Sequence, residues 1–294
     1  MLKNQSKILK ITKPKIRPEG KGAKVQRILG SDNPKYFDPF LMMDFFSSKQ
    51  PNGFPDHPHR GFETVSYMKE GSFLHEDFKG HKGRIDEGDV QWMTAGKGIV
   101  HAEMPESKET DSVGFQLWIN LRSTQKMIEP KYQEIKKALI PVIQKEQASI
   151  KVICGNIFGT SGPITPNTPV EYLDVFLALG GRLQKSINIG WNSFIYLYEG
   201  QLLVNGNIVE NQSAVFFANG PEEAFVDFEA KSSGAKFLWL SGLPLKEPIV
   251  QYGPFVMNTQ DQIDQTLEDY HSAKNGFEEV KNWSSGIRKL SENY

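Results

Sequence analysis

The feature that most constrains this chain is a run of short β-rich stretches, closed by glycine turns, that occurs twice. The stretch "GFETVSYMKEG" at 61–71 lies over "GWNSFIYLYEG" at 190–200 with a constant offset of 129, so Gly61 meets Gly190, Tyr67 meets Tyr196 and Gly71 meets Gly200. Further on, "GDVQWMTAG" at 88–96 lies over "NQSAVFFANG" at 211–220 with an offset of 124, and "KMIEP" at 126–130 pairs loosely with "PLKEP" at 244–248. Three matches in one order imply two copies of a unit of about 110–130 residues. Strand-forming runs of this length between turn signals fit a small barrel or jelly roll. The expected fold is therefore all-β, with two antiparallel barrels divided as 1–135 and 136–294. Two segments read as helical. One is "PKYQEIKKALI" near 130–140; the other is "TQDQIDQTLEDYHSAKNGFEEV" at 259–280, with Asn258 or Thr259 as N-cap.

Composition narrows the function classes. A net charge of −1 leaves no overall footprint for a polyanion such as nucleic acid. The first 27 residues are locally basic, but "KILKITKPKIRPEG" alternates apolar and charged residues, which reads as an edge strand with a positive outer face and not as a targeting peptide. Cys154 is alone, so no intrachain disulfide forms, and no run of 18 apolar residues offers a membrane span. A soluble intracellular protein, cytoplasmic or nuclear, is the expectation.

Chemistry concentrates in the first copy. In "FPDHPHRGFE", His57 and His59 stand at i and i+2, so an extended backbone projects both imidazoles to one face. In "GKGIVHAEMP", His101 and Glu103 repeat that spacing. At the repeat offsets these residues fall on Ser186, Asn188, Phe225 and Asp227, and no histidine occurs between His101 and His271. Residues the fold needed would recur in both copies, so the four belong to a site. Two such pairs on neighbouring inward-facing strands suit a borderline divalent metal such as Fe(II), Mn(II), Ni(II) or Cu(II). Four ligands of six leave two cis positions open, an arrangement for catalysis. Glu63 competes with Glu103 for the carboxylate place: it shares parity with the histidines if the strand runs unbroken, and spacing leaves the choice open. His75 and His81 read as a polar hairpin and His271 as solvated helix. Trp92, Met93, Phe115 and Trp118 read as core, with Trp92 and Phe115 as candidates to flank a ligand's rings. Gln116 alternates against Phe115 and Leu117, which turns it toward the cavity.

The stretches "FPDHPHRGFETVSY", "GDVQWMTAGKGIVHAEMP", "FQLWINL" with "KMIEPKYQ", and "YGPFVMNT" with "AKNGFEEVKNW" together resemble the pirin family, in its eukaryotic form, across nearly the whole chain. The resemblance implies a bicupin whose N-terminal barrel holds one metal, usually iron as Fe(II)/Fe(III), on His57, His59, His101 and Glu103, with Glu103 also the catalytic carboxylate. The general cupin pattern H-x-H-x3-E would favour Glu63, and "TAGKGIVH" departs from the second general cupin motif; the closer relative decides for Glu103. Family knowledge further implies quercetin 2,3-dioxygenase-type cleavage of a flavonol by O2. The alternative it implies is an iron-dependent, redox-sensing transcription coregulator that binds a transcription factor, with Lys13, Lys15 and Lys24 on the basic face. The asymmetry between the copies generates a direct test. Purified protein should bind one equivalent of transition metal, and the His57→Ala, His59→Ala double variant should lose most of it by elemental analysis; stoichiometric metal retained in that variant would contradict the assignment.

Overall fold

The computed structural model describes residues 4–31 and 34–291. The chain is mostly β and forms two compact units: residues 16–31, 40–137 and 245–291 make one, and residues 4–15, 34–39 and 138–244 make the other. Contacts thus divide the chain differently from a single cut at residue 135, because each end joins the other copy. The Ile8–Thr12 strand pairs antiparallel with Ser213–Phe217, while the Gln260–Ser272 helix buries Ile263, Thr266 and Asp269 within the first unit. The basic N-terminal stretch forms edge strands as expected, but two of them: Ile8–Thr12 closes one sheet and Ile16–Glu19 closes another.

In the first unit a seven-stranded sheet runs in the order Lys131–Ile135, Val90–Thr94, Phe62–Glu70, Ser112–Asn120, Phe40–Ser48, Ala23–Leu29, Ile16–Glu19. A four-stranded sheet runs Phe54–His59, Ile99–Pro105, Phe73–Asp77, Lys82–Ile85. The repeat glycines do the same work in both copies. Gly61 and Gly190 have φ of +90° and +75°, and Gly71 and Gly200 have +67° and +86°, a region that favours glycine. At Gly61 a Cβ would also stand 2.0 Å from the Val256 carbonyl oxygen, so the chain turns there only without a side chain.

The stretch 130–140 is not a helix. Lys131–Ile135 is a strand paired with Val90–Thr94, followed by a short 3-10 turn at Lys137–Leu139. Cross-strand partners override a weak local preference here. The second helical expectation stands in shortened form. Thr259 is the N-cap, its hydroxyl accepting from Gln262 N at 3.2 Å in a capping box, and the helix ends at Ala273 in a left-handed conformation.

The interior of the second copy is apolar. Its barrel is filled by apolar side chains, among them Leu183, Ile187, Val226, Phe228, Phe237 and Trp239. The repeat alignment survives as register: His57 pairs with His101, and Ser186 pairs with Phe225. The facing does not survive. Ser186 and Asn188 are exposed, and the buried positions of that strand are Leu183, Lys185 and Ile187. Either face of a strand can meet a core, and its alternate side chains turn together. The positions that face this core are therefore the neighbours of those the offset named. Lys185 is a buried cation there, 2.9 Å from Glu171, which also accepts from Trp239 Nε1 at 3.0 Å.

Arg60 ties the histidine-bearing strand to the C-terminal helix. Its guanidinium lies 2.8 Å from Asp269, with side-chain exposures of 1% and 3%, donates to the carbonyls of Lys97 and Asn275 at 2.6 Å each, and stacks 4.6 Å over Phe277. Burial pushes the Asp269 carboxyl up, but hydrogen bonds from Arg60, Gln265 and Asn275 hold it below the usual range. Removing one partner of a buried pair strands the other charge, so Asp269→Ala should destabilise the protein by about 3–5 kcal/mol in denaturant unfolding, whereas an Arg60→Met, Asp269→Leu double variant should lose less. A single-variant loss below that of the double would contradict the role given to the pair.

Candidate metal centre

Antiparallel pairing of Phe54–His59 with Ile99–Pro105 sets His57 directly opposite His101. His59 shares the face of His57, so three imidazoles converge, with ligand nitrogens all within 4.8 Å of one another. Their ring centroids lie 4.4–5.0 Å apart. His57 Nδ1 donates to the Pro55 carbonyl at 2.9 Å, which leaves its Nε2 lone pair for a ligand. His59 and His101 are 2% exposed each. Among the described residues, His101 has no hydrogen-bond partner on either ring nitrogen, and His59 has none on Nδ1. Buried polar atoms left this way are costly unless something coordinates them. Burial, with the charge of neighbouring His57, holds both rings well below the usual histidine range and so keeps them neutral, the form a metal requires. These residues fit a transition-metal ion.

Glu103 lines the same cavity from the His101 strand, but stands outside the imidazole cluster. Its Oε1 is 2.9 Å from Ser66 Oγ and its Oε2 accepts from Gln116 Nε2 at 3.1 Å. Glu63 is turned elsewhere. The chain breaks at Arg60-Gly61 between two strands, and Glu63 accepts from Thr94 Oγ1 at 2.8 Å, away from the cavity lining. The remaining histidines are engaged apart from the cluster: His75 Nε2 is 2.8 Å from Glu134, and His81 Nδ1 is 3.0 Å from Asp77. The hydrogen bond from His75 is the main cause pulling Glu134 down to about 2. His271 is exposed on its helix.

The cavity measures about 690 Å³ and takes its walls from both sheets of the first unit. Gln116 faces it, as its alternation predicts. Trp92 and Phe115 do not: both are fully buried on the opposite face, Phe115 packing 4.9 Å from Phe45. The aromatic lining is instead Trp118, Phe46, Phe54 and Phe73, with Trp118 edge-on to His59 at 5.2 Å. Parity with Gln116 marks Trp118 in the sequence. Ser66, Asp44 and Arg27 also line the cavity, and no sequence motif marks them. Their only sequence signal is a polar residue on the inward parity of an otherwise apolar strand.

Two barrels, one with three converging imidazoles and one with an apolar interior, define a bicupin with, among the described residues, one candidate metal centre. Residues 22–119 match the Pirin family profile and residues 172–276 match the Pirin C-terminal cupin domain. The chain is 47% identical over 284 residues to pirin-like protein 2 of Arabidopsis thaliana, covering 95% of this chain and 88% of that one. It is 46% identical over 274 residues to pirin of Homo sapiens, covering 92% and 93%. A crystal structure of quercetin 2,3-dioxygenase from Acinetobacter baumannii superposes with a TM-score of 0.85 at 33% identity, covering 93% of this chain and 99% of that one. The chain belongs to the pirin family. Among the described residues, no helix is long and apolar enough to cross a membrane.

The depressed imidazoles give a pH test. In the folded metal-free protein His59 and His101 stay neutral below the usual 6.5, while in the unfolded chain they protonate as pH falls through it. The unfolded state then binds more protons, so stability falls with falling pH, by up to about 1.4 kcal/mol per pH unit for each ring. Unfolding midpoints of metal-free protein should drop between pH 7 and 5, and a His59→Asn, His101→Asn variant should show a shallower drop. Identical profiles would contradict the burial argument.

Proposed function

We propose that this protein is an iron-binding dioxygenase of the quercetin 2,3-dioxygenase type, acting on a flavonol-like substrate. The observation that carries this reading is that His57 and His59, two members of the three-imidazole cluster, line a cavity of about 690 Å³, within the range of small-molecule sites. The likeness to the Acinetobacter quercetin 2,3-dioxygenase, at 33% identity over nearly all of both chains, supports it. His57, His59 and His101 would hold the ion, with Glu103 as the fourth ligand or the base beside it. Iron held there would supply a Lewis acid for an anionic, chelating oxygen and a centre at which O2 reacts.

The protein's own groups do the rest. Glu103 takes the proton of the substrate's enol at a carboxylate oxygen. Ser66 and Gln116 fix that carboxylate by hydrogen bonds to its two oxygens. Trp118, Phe46, Phe54 and Phe73 bury the rings, contributing roughly 25 cal/mol per Å² of apolar surface covered, and exclude water from the reacting end. The test is anaerobic loading with Fe(II), followed by measurement of O2 uptake with and without a flavonol. Uptake should require the flavonol, and Glu103→Gln should lower turnover per bound iron by about 10²–10⁴-fold. Absence of uptake across several flavonols would overturn the reading.

A further inference from the structure

The concave face of the seven-stranded sheet carries one polar row across an otherwise apolar lining. Register sets Arg27 opposite Asp44, Asp44 opposite Gln116, and Gln116 opposite Ser66, so all four side chains project from the same face. All four line the cavity. The flanking rows there are apolar: Val25 pairs with Phe46 on one side, and Met42 with Trp118 on the other. Ser66 and Gln116 are committed to Glu103. Arg27 and Asp44 form a separate pole of the cavity.

That pole is built with care for geometry. Asp44, 3% exposed, accepts from Arg27 Nε at 2.8 Å and from Nη2 at 2.7 Å, and Nη2 also reaches Glu19 at 2.7 Å. Among the described residues, the hydrogen bonds of Arg27 run from Nε and Nη2, and its side chain is 18% exposed. An ion pair set into an apolar wall does little for stability, since two apolar residues of similar volume would serve the fold as well or better. What it does supply is a fixed donor beside a fixed acceptor. A hydroxyl group, which donates one hydrogen bond and accepts others, matches both. Arg27 stands two strands from Gln116, roughly 9–10 Å at the usual strand spacing. That is the scale of a planar molecule of two or three rings.

We propose that Arg27 and Asp44 form a second polar subsite, which recognises a hydroxyl on the far ring of a planar aromatic substrate whose near end lies at the histidine cluster. This rests on the flavonol reading given above and names the substrate class more narrowly: an aromatic hydroxylated at both ends, selected over one that carries only the chelating group. Asp44 accepts from the far hydroxyl and Arg27 Nη1 donates to its oxygen, while the apolar rows grip the ring faces between the two poles.

The test is equilibrium binding, which does not depend on turnover. Protein loaded anaerobically with iron is titrated with quercetin, hydroxylated on its outer rings, and with 3-hydroxyflavone, which has the chelating end alone. Wild type should prefer quercetin. Arg27→Met with Asp44→Leu should weaken quercetin by about tenfold or more and leave 3-hydroxyflavone unchanged. If that variant does not fold, Arg27→Lys keeps the charge but loses the planar fork, and should show the same selective loss at smaller size. Equal weakening of both ligands, no weakening of quercetin, or no binding of either ligand to wild type would each overturn the subsite. O2 uptake on the same samples separates the two claims. Selective binding without uptake refutes dioxygenase turnover and keeps the subsite; uptake without selectivity refutes the subsite alone.

Discussion

The site depends on the pairing of two strands. Phe54–His59 and Ile99–Pro105 meet in a register that sets His57 against His101, and the period of two along each strand brings His59 and Glu103 to the same side. A shift of one residue would turn every one of these side chains out of the cavity. Arg60 defends that register from outside the site. Placed next to His59 and buried against Asp269, it pins the end of the histidine strand to the C-terminal helix through bonds that water cannot replace. Lys126 adds a second tie at the adjoining turn, donating to the carbonyls of Gly61 and Val256 at 2.8 and 3.0 Å. The C-terminal segment is thus part of the framework of the metal-site barrel.

The two barrels show how one architecture serves opposite ends. In the first, the buried His101 ring lacks hydrogen-bond partners on both nitrogens and the buried His59 ring lacks one on Nδ1, an arrangement that costs stability unless an ion binds. In the second, aliphatic and aromatic side chains close the interior, and the buried cation is the Lys185 ammonium, neutralised by Glu171. A closed, satisfied core stabilises the fold; an open, unsatisfied one is useful only for binding. The same contrast recurs inside the first barrel, where Arg27, Asp44, Gln116 and Ser66 cross an apolar wall as a single polar row. Apolar rows supply affinity without direction, and the polar row supplies direction.

Much of this is legible in the residues. The repeat, read from Gly61, Tyr67 and Gly71 against their counterparts, implies two β units, and the loss of histidines from the second copy marks four candidate site residues, of which the structure brings His57, His59 and His101 together. Alternation placed Gln116 on the cavity side. Alternation also carried the information that Trp118, and not Trp92 or Phe115, would line it, because Trp118 shares parity with Gln116. The strand at Lys131–Ile135 reads as helix in the sequence because its charged residues suit a helix face as well as an edge strand, and only its partner Val90–Thr94 resolves the two.

What the sequence determined by itself is therefore periodic and local: strand content, the doubled unit, the spacing of ligands, the capped C-terminal helix. Tertiary structure decided the rest. The exchange of chain ends between units, the break at Arg60-Gly61 that turns Glu63 away, and the opposite facing of the matched strand in the second copy all depend on contacts between residues far apart in the chain. Periodicity fixes which residues share a face. It carries no information about which of two faces meets the core, since that is set by the free energy of packing against strands the local sequence does not contain.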